Sequence, residues 1–133
     1  MRKSTRSIRE EKGQTLVEFA LVLPILCVLL FGIIQFGTVF NNWVTLTDAT
    51  RAGARKAVVS RGQSDPGAVA EDAVRDSAPN LNQDELEVDI AVSPKWENGA
   101  EVTVTASYPY TISLVGLPVY TGELTSTTKE RVE

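Results

Sequence analysis

The sequence predicts an α+β protein: a long N-terminal helix, membrane-spanning in its first part, whose outer half packs on a small antiparallel three-stranded sheet. Two observations predict it. No charged residue stands between Glu18 and Asp48, and the run from Phe19 to Ile34 holds no strongly polar residue either. Past Pro79-Asn80, apolar residues recur at every second position rather than at helical spacing.

The head of the chain is basic and the body acidic. Residues 1–13 carry five bases (Arg2, Lys3, Arg6, Arg9, Lys12) and two acids, which leaves eight bases and fifteen acids for the other 120 residues. The body offers no basic stripe to phosphates, so nucleic acid is not expected as a partner. Read as membrane topology, the bases before the apolar run hold the N-terminus in the cytoplasm and place the rest outside the inner membrane. Arg51, Arg55, Lys56 and Arg61 oppose this orientation, but they lead into a domain that translocates whole. The one cysteine, Cys27, excludes a disulfide within the chain. Histidine is absent, which removes the commonest general base and metal ligand.

The segment from Leu16 to Phe40 is 25 residues long. A helix of roughly 20 apolar residues crosses a bilayer core, so this one spans the lipid bilayer with some tilt. Pro24 removes one helix hydrogen bond and is expected to loosen its turn. Trp43 stands where the bilayer ends and is expected to anchor there. A secretory signal has an apolar part of only about 7–15 residues followed by a small-x-small site. Here the nearest such triplet, Ala52-Gly53-Ala54, lies well past the run, so a retained anchor is the better reading.

Residues 41–60 contain no proline, and the helix is expected to run from about Gln14 to Ser60, with a looser turn at Asn41-Asn42. Ala49, Gly53 and Ala57 recur every four residues and form a stripe that lets another backbone come close. Two uses stay open: contact with the protein's own sheet, or packing against a partner subunit. Arg51 and Arg55 follow Asp48 on what reads as a solvated face.

The outer domain covers 61–133. Gly62 ends the long helix. Asp65-Pro66 reads as a cap and first helical position, opening a short helix over 66–77 with Val69, Ala70, Ala73 and Val74 on one side. In 85–92, Leu86, Val88, Ile90 and Val92 alternate with acids, as in a half-buried strand. Asn98-Gly99 signals a turn. A second strand follows over 100–110, with Pro109 marking an edge or an end of pairing. Residues 112–120 are apolar but broken by Gly116 and Pro118, and read either as a partner-binding loop or as a segment packed on the sheet. A last strand over 122–132 puts Leu124, Ser126 and Thr128 on one face. Asp84, Glu85, Glu87 and Asp89 suggest carboxylate ligands by type only. Their alternation spreads them along a strand face and no calcium-loop pattern is present, so no metal is expected.

One feature of the membrane segment stands out. In KGQTLVEF, residues 12–19, Glu18 lies inside the apolar edge, five residues after Gly13. A carboxylate costs roughly 2.5–3.5 kcal/mol at the centre of a membrane helix and less near its end. Gly-x-x-x-x-Glu before an apolar helix and after a short basic leader resembles the prepilin cleavage motif. The wider match lies in VEFALVLP (17–24), GIIQFG (32–37) and TDATRAGAR (47–55), which resemble the TadE-like family of tight-adherence, Flp-type pilus systems. The resemblance covers about residues 13–60, and Gln35 stands where relatives commonly carry an acid. It implies a pilin-like fold and a minor pilin or pseudopilin. Residues 1–13 would be a leader removed by a prepilin peptidase, with processing at Gly13 and Gln14. Helix 14–60 would pack against other pilin subunits and the assembly platform, through Glu18, Pro24 and the Ala49, Gly53, Ala57 stripe. No catalytic constellation or cofactor motif is present, so the chain reads as an enzyme's substrate rather than an enzyme. Two other readings remain: an uncleaved single-pass anchor carrying an extracytoplasmic binding domain, and a pseudopilin of type II secretion.

Overall fold

The computed structural model describes residues 4–114 and 116–133, with residues 4–12 described by backbone alone. Arg2 and Lys3 of the leader lie outside the described residues, as does Val115. The element order is α1 (Ser4–Val59), α2 (Pro66–Asp76), β1 (Glu87–Ser93), β2 (Glu101–Leu114) and β3 (Leu117–Arg131). The chain divides into two compact units between Phe36 and Gly37, a boundary that falls inside α1.

In the first unit, α1 begins at Ser4 rather than near Gln14. The reason is local: residues 4–12 contain neither glycine nor proline, so nothing in that stretch stops helix propagation. The helix also continues through Pro24 and past Asn41-Asn42 without interruption. Its large apolar side chains from Leu16 to Phe36 are exposed, among them Leu21 and Ile33 at 69% and 70%. One stretch of α1 is long and apolar enough to cross a membrane. These features are compatible with a single-pass anchor, because water is a poor medium for such an uninterrupted apolar surface.

The second unit is an α+β domain. Its three strands form one antiparallel sheet in the order β1-β2-β3. The outer part of α1 and the buried side of α2 (Pro66, Ala70, Val74) contribute to the core on one face of it. Asp65 caps α2 as its sequence indicates: the carboxylate accepts from the backbone N–H of Ala68 at 3.0 Å, and Pro66 opens the helix. The core is drawn from α1 (Leu46, Ala54), α2 (Ala70, Val74) and β2 (Val102, Val104). On β2, alternation places Val102, Val104 and Ala106 inward and fully buried. The partners on β3 are mostly small and polar. Thr50 of α1, itself buried, shares its hydroxyl with those of Ser126 at 3.1 Å and Thr128 at 3.0 Å. It also donates to the Thr47 carbonyl at 2.9 Å.

The segment 112–120 differs most from expectation. It is no separate loop. β2 runs on to Leu114 and β3 begins at Leu117, so most of the segment is strand around a tight turn. Gly116 takes a positive φ of 82° there, a backbone geometry glycine adopts without the Cβ penalty. Pairing with β1 stops at Ser107, and past it β2 and β3 continue as a two-stranded hairpin. Pro109 thus sits where β2 has an open edge, which suits a residue lacking a backbone donor. Half-buried Tyr110 lies beside Tyr120, with ring centroids 6.1 Å apart. Desolvation first, and the Tyr120 phenol second, raise the Tyr110 phenol above its ordinary value.

Candidate functional site

Gly13 and Gln14 are consecutive in α1, and Glu18 lies about one turn further on. At Gly13 a side chain would meet nothing within 4 Å, so the backbone there is open to an approaching protein. Glycine also weakens the helix at this point, by about 1 kcal/mol relative to alanine. The Gln14 side-chain amide donates to the Glu18 carboxylate at 3.1 Å, across one helical turn. An amide bonds a carboxylate without neutralising it. Glu18 is exposed, as are its apolar neighbours Val17 and Phe19. The arrangement is a carboxylate presented on an apolar surface, where a cation on another chain can reach it and where low dielectric makes pairing strong.

Of the two uses open to Ala49, Gly53 and Ala57, the structure shows packing within the protein's own domain. All three are buried inside their own domain. A Cβ built on Gly53 would come within 2.3 Å of Val74 Cγ2 on α2, 3.1 Å of the Ala70 carbonyl oxygen and 3.5 Å of Val104 Cγ1 on β2. The close backbone approach that the stripe permits is made to α2 of the same chain. Small residues at four-residue spacing mark such an approach without saying which helix makes it. On the other side of α1, Asp48 and Arg51 form an exposed ion pair at 3.5 Å, and Arg55 and Lys56 are exposed beside them.

Trp43 is 45% exposed and packs beside Phe40, with ring centroids 6.0 Å apart. The acidic residues at 84–89 do not converge. Glu87 and Asp89 are exposed on β1, with Asp84 and Glu85 in the turn before it. Among the described residues no cluster of three or more potential ligands is placed to hold a metal ion.

Residues 13–55 match the model of the TadE-like protein family. The match covers less than half of the 133 residues. It starts at the glycine of the candidate processing site and ends four residues before α1 does. The TadE-like segment thus contains Gln14, Glu18 and Pro24 together with the exposed apolar surface. It supports a pilus-related, minor-pilin-like role for the chain. Comparisons with curated proteins and with solved structures gave no match.

Proposed function

We propose that the protein is a minor pilin or pseudopilin of a tight-adherence pilus system, stored in the inner membrane with its N-terminus in the cytoplasm. A prepilin peptidase cleaves it after Gly13, and the shortened α1 then enters a pilus or its initiation complex. The observation that carries this reading is the five-residue spacing of Gly13 and Glu18 at the head of an exposed apolar helix, together with a family match that begins at that glycine.

Cleavage creates an α-amine on Gln14, a cation at a helix start. The Glu18 carboxylate of a neighbouring subunit pairs with it where water is scarce. An unpaired carboxylate opposes burial in a helix bundle, so pairing favours one axial position of subunit against subunit. Pro24, within the same exposed surface, belongs to the part of α1 that packs against other subunits and the assembly platform. Trp43 holds the end of the membrane segment at the headgroup layer before assembly.

Intact mass of the membrane-purified protein, with and without its peptidase, tests the proposal. Peptidase-dependent loss of residues 1–13 is expected. An unchanged mass in both samples would overturn it in favour of an uncleaved anchor for an extracytoplasmic binding domain.

A further inference from the structure

The hairpin formed by β2 and β3 beyond Ser107 is apolar at its tip and covered by nothing described in the chain. Leu117, Val119 and Tyr120 are 72%, 66% and 57% exposed, and Leu114 is exposed as well. No charged residue occurs between Glu101 and Glu123, on either strand of the hairpin. Such a tip requires a partner or a medium to cover it.

Hydrogen bonds within the second unit fix the direction in which the tip points. Thr50 meets Ser126 and Thr128. Further along both elements, Arg61 bonds Asn98, and the next residue, Gly99, donates to the Val132 carbonyl at 2.7 Å. So α1 and β3 run the same way. In the opposite direction, Thr45 accepts from Asn80 at 3.3 Å, and the Tyr108 hydroxyl, on the residue paired with Leu124, accepts from the Asn82 N–H at 3.3 Å. Leu124 therefore stands near the level of Thr45, and the strand before it heads toward Trp43 and Phe40. From Leu124 back to Leu117 is about 23 Å of strand at roughly 3.3 Å per residue. From Thr45 back to Phe40 is only about 7.5 Å of helix. Even with marked strand twist, the tip reaches at least the level of Phe40 within the same unit.

We propose that the hairpin tip, through Leu114, Leu117, Val119 and Tyr120, is a lipid-binding site that dips into the interfacial layer of the bilayer that α1 anchors. A lipid medium fits better than a protein partner for a geometric reason. Leu117 and Pro118 are consecutive in β3 and paired in regular register with Leu114 and Ser113, so they point to opposite faces, and both are exposed. A docked helix or strand covers one face, whereas immersion covers both. The aromatic placement agrees: the Tyr110–Tyr120 pair sits at the base of the tip as Phe40–Trp43 sits at the end of the helical run, and aromatic residues of this kind gather at membrane interfaces. The site rests on anchorage by α1 and not on cleavage after Gly13.

The test uses the full uncleaved chain in phosphatidylcholine vesicles, with a nitroxide at Leu117→Cys in a Cys27→Ser background. Thr127→Cys, an exposed position on the same strand, is the control. Relaxation by oxygen, which concentrates in lipid, is compared with relaxation by a water-soluble nickel chelate. The Leu117 label is expected to shift toward oxygen on reconstitution, while the Thr127 label stays water-like. Co-flotation of the protein with vesicles reports α1 separately. Co-flotation with a water-like Leu117 label would overturn the proposal alone, and failure to co-float would overturn the anchor with it. A lipid-like signal that disappears when the protein is diluted in lipid would assign the tip to a second copy and also overturn the proposal.

Discussion

Replacing Gly53 by alanine separates an intramolecular from an intermolecular role for the small-residue stripe. The new Cβ would lie 2.3 Å from Val74 Cγ2, where ordinary contact begins near 3.4 Å, so one of the two must move by about an ångström. Val74 has little freedom to move. It is β-branched and fully buried, and the Ala70 carbonyl at 3.1 Å is backbone. Overpacking of this kind costs about 1–3 kcal/mol, and alanine returns up to about 1 kcal/mol in helix propensity. The expected net loss is ~1–2 kcal/mol. Urea unfolding of the full chain in detergent, followed by Trp96 fluorescence, reads this as a midpoint lowered by roughly 0.3–2 M, for slopes of about 1–3 kcal/mol per molar. If Gly53 instead faced open space awaiting a partner, alanine would raise the midpoint. An unchanged or raised midpoint therefore refutes the close-approach reasoning. Adding Val74→Ala provides a cross-check, because the second substitution should cost less beside Ala than beside Gly, with a coupling of about 1 kcal/mol.

Other expectations follow from the same geometry. Gly13→Leu blocks processing, read as retention of residues 1–13 by mass; a variant still cut at that bond counts against the motif. Glu18→Ala leaves cleavage largely intact but lowers co-assembly with other pilins, and normal co-assembly of the variant would refute the amine–carboxylate pairing. Thr50→Val strands two half-buried hydroxyls, on Ser126 and Thr128, and should cost about 1–3 kcal/mol by the same unfolding assay. A loss below the error of the measurement would mean that water replaces the lost partner.

The parts of the fold that carry a strong period were legible in the sequence. Leu86 to Val92 and Val102 to Ala106 alternate cleanly because one face of each strand is buried, and both strands lie where that alternation placed them. The cap and proline of α2 were equally plain. The hairpin tip was not, because its turn interrupts a run that is apolar on both sides and lacks polar punctuation. Apolar residues exposed on both faces of a strand have no period to read. The start of α1 was misplaced for a different reason. A cleavage motif marks where a peptidase acts, and helix propensity continues through it. In the candidate site, the spacing of Gly13 and Glu18 was visible as a motif. The partner of the Ala49, Gly53, Ala57 stripe was not, because four-residue spacing is the same for contacts within and between chains.

The hydroxyl cluster at Thr50 has a consequence for strand alignment. The end of β3, Thr125 to Arg131, contains no apolar residue, so hydrophobic contrast gives it almost no preference for one alignment against β2 over another. A slip of one residue would turn Thr125, Thr127 and Lys129 toward α1 in place of Leu124, Ser126 and Thr128. The Lys129 ammonium would then leave Glu101, which it reaches at 2.9 Å, for the face packed on the helix. The slip would also break the bonds from Thr50 to Ser126 and Thr128 and take Val132 out of the core. In this domain a polar contact at Thr50, between the apolar anchors Leu124 and Val132, helps set where the last strand locks.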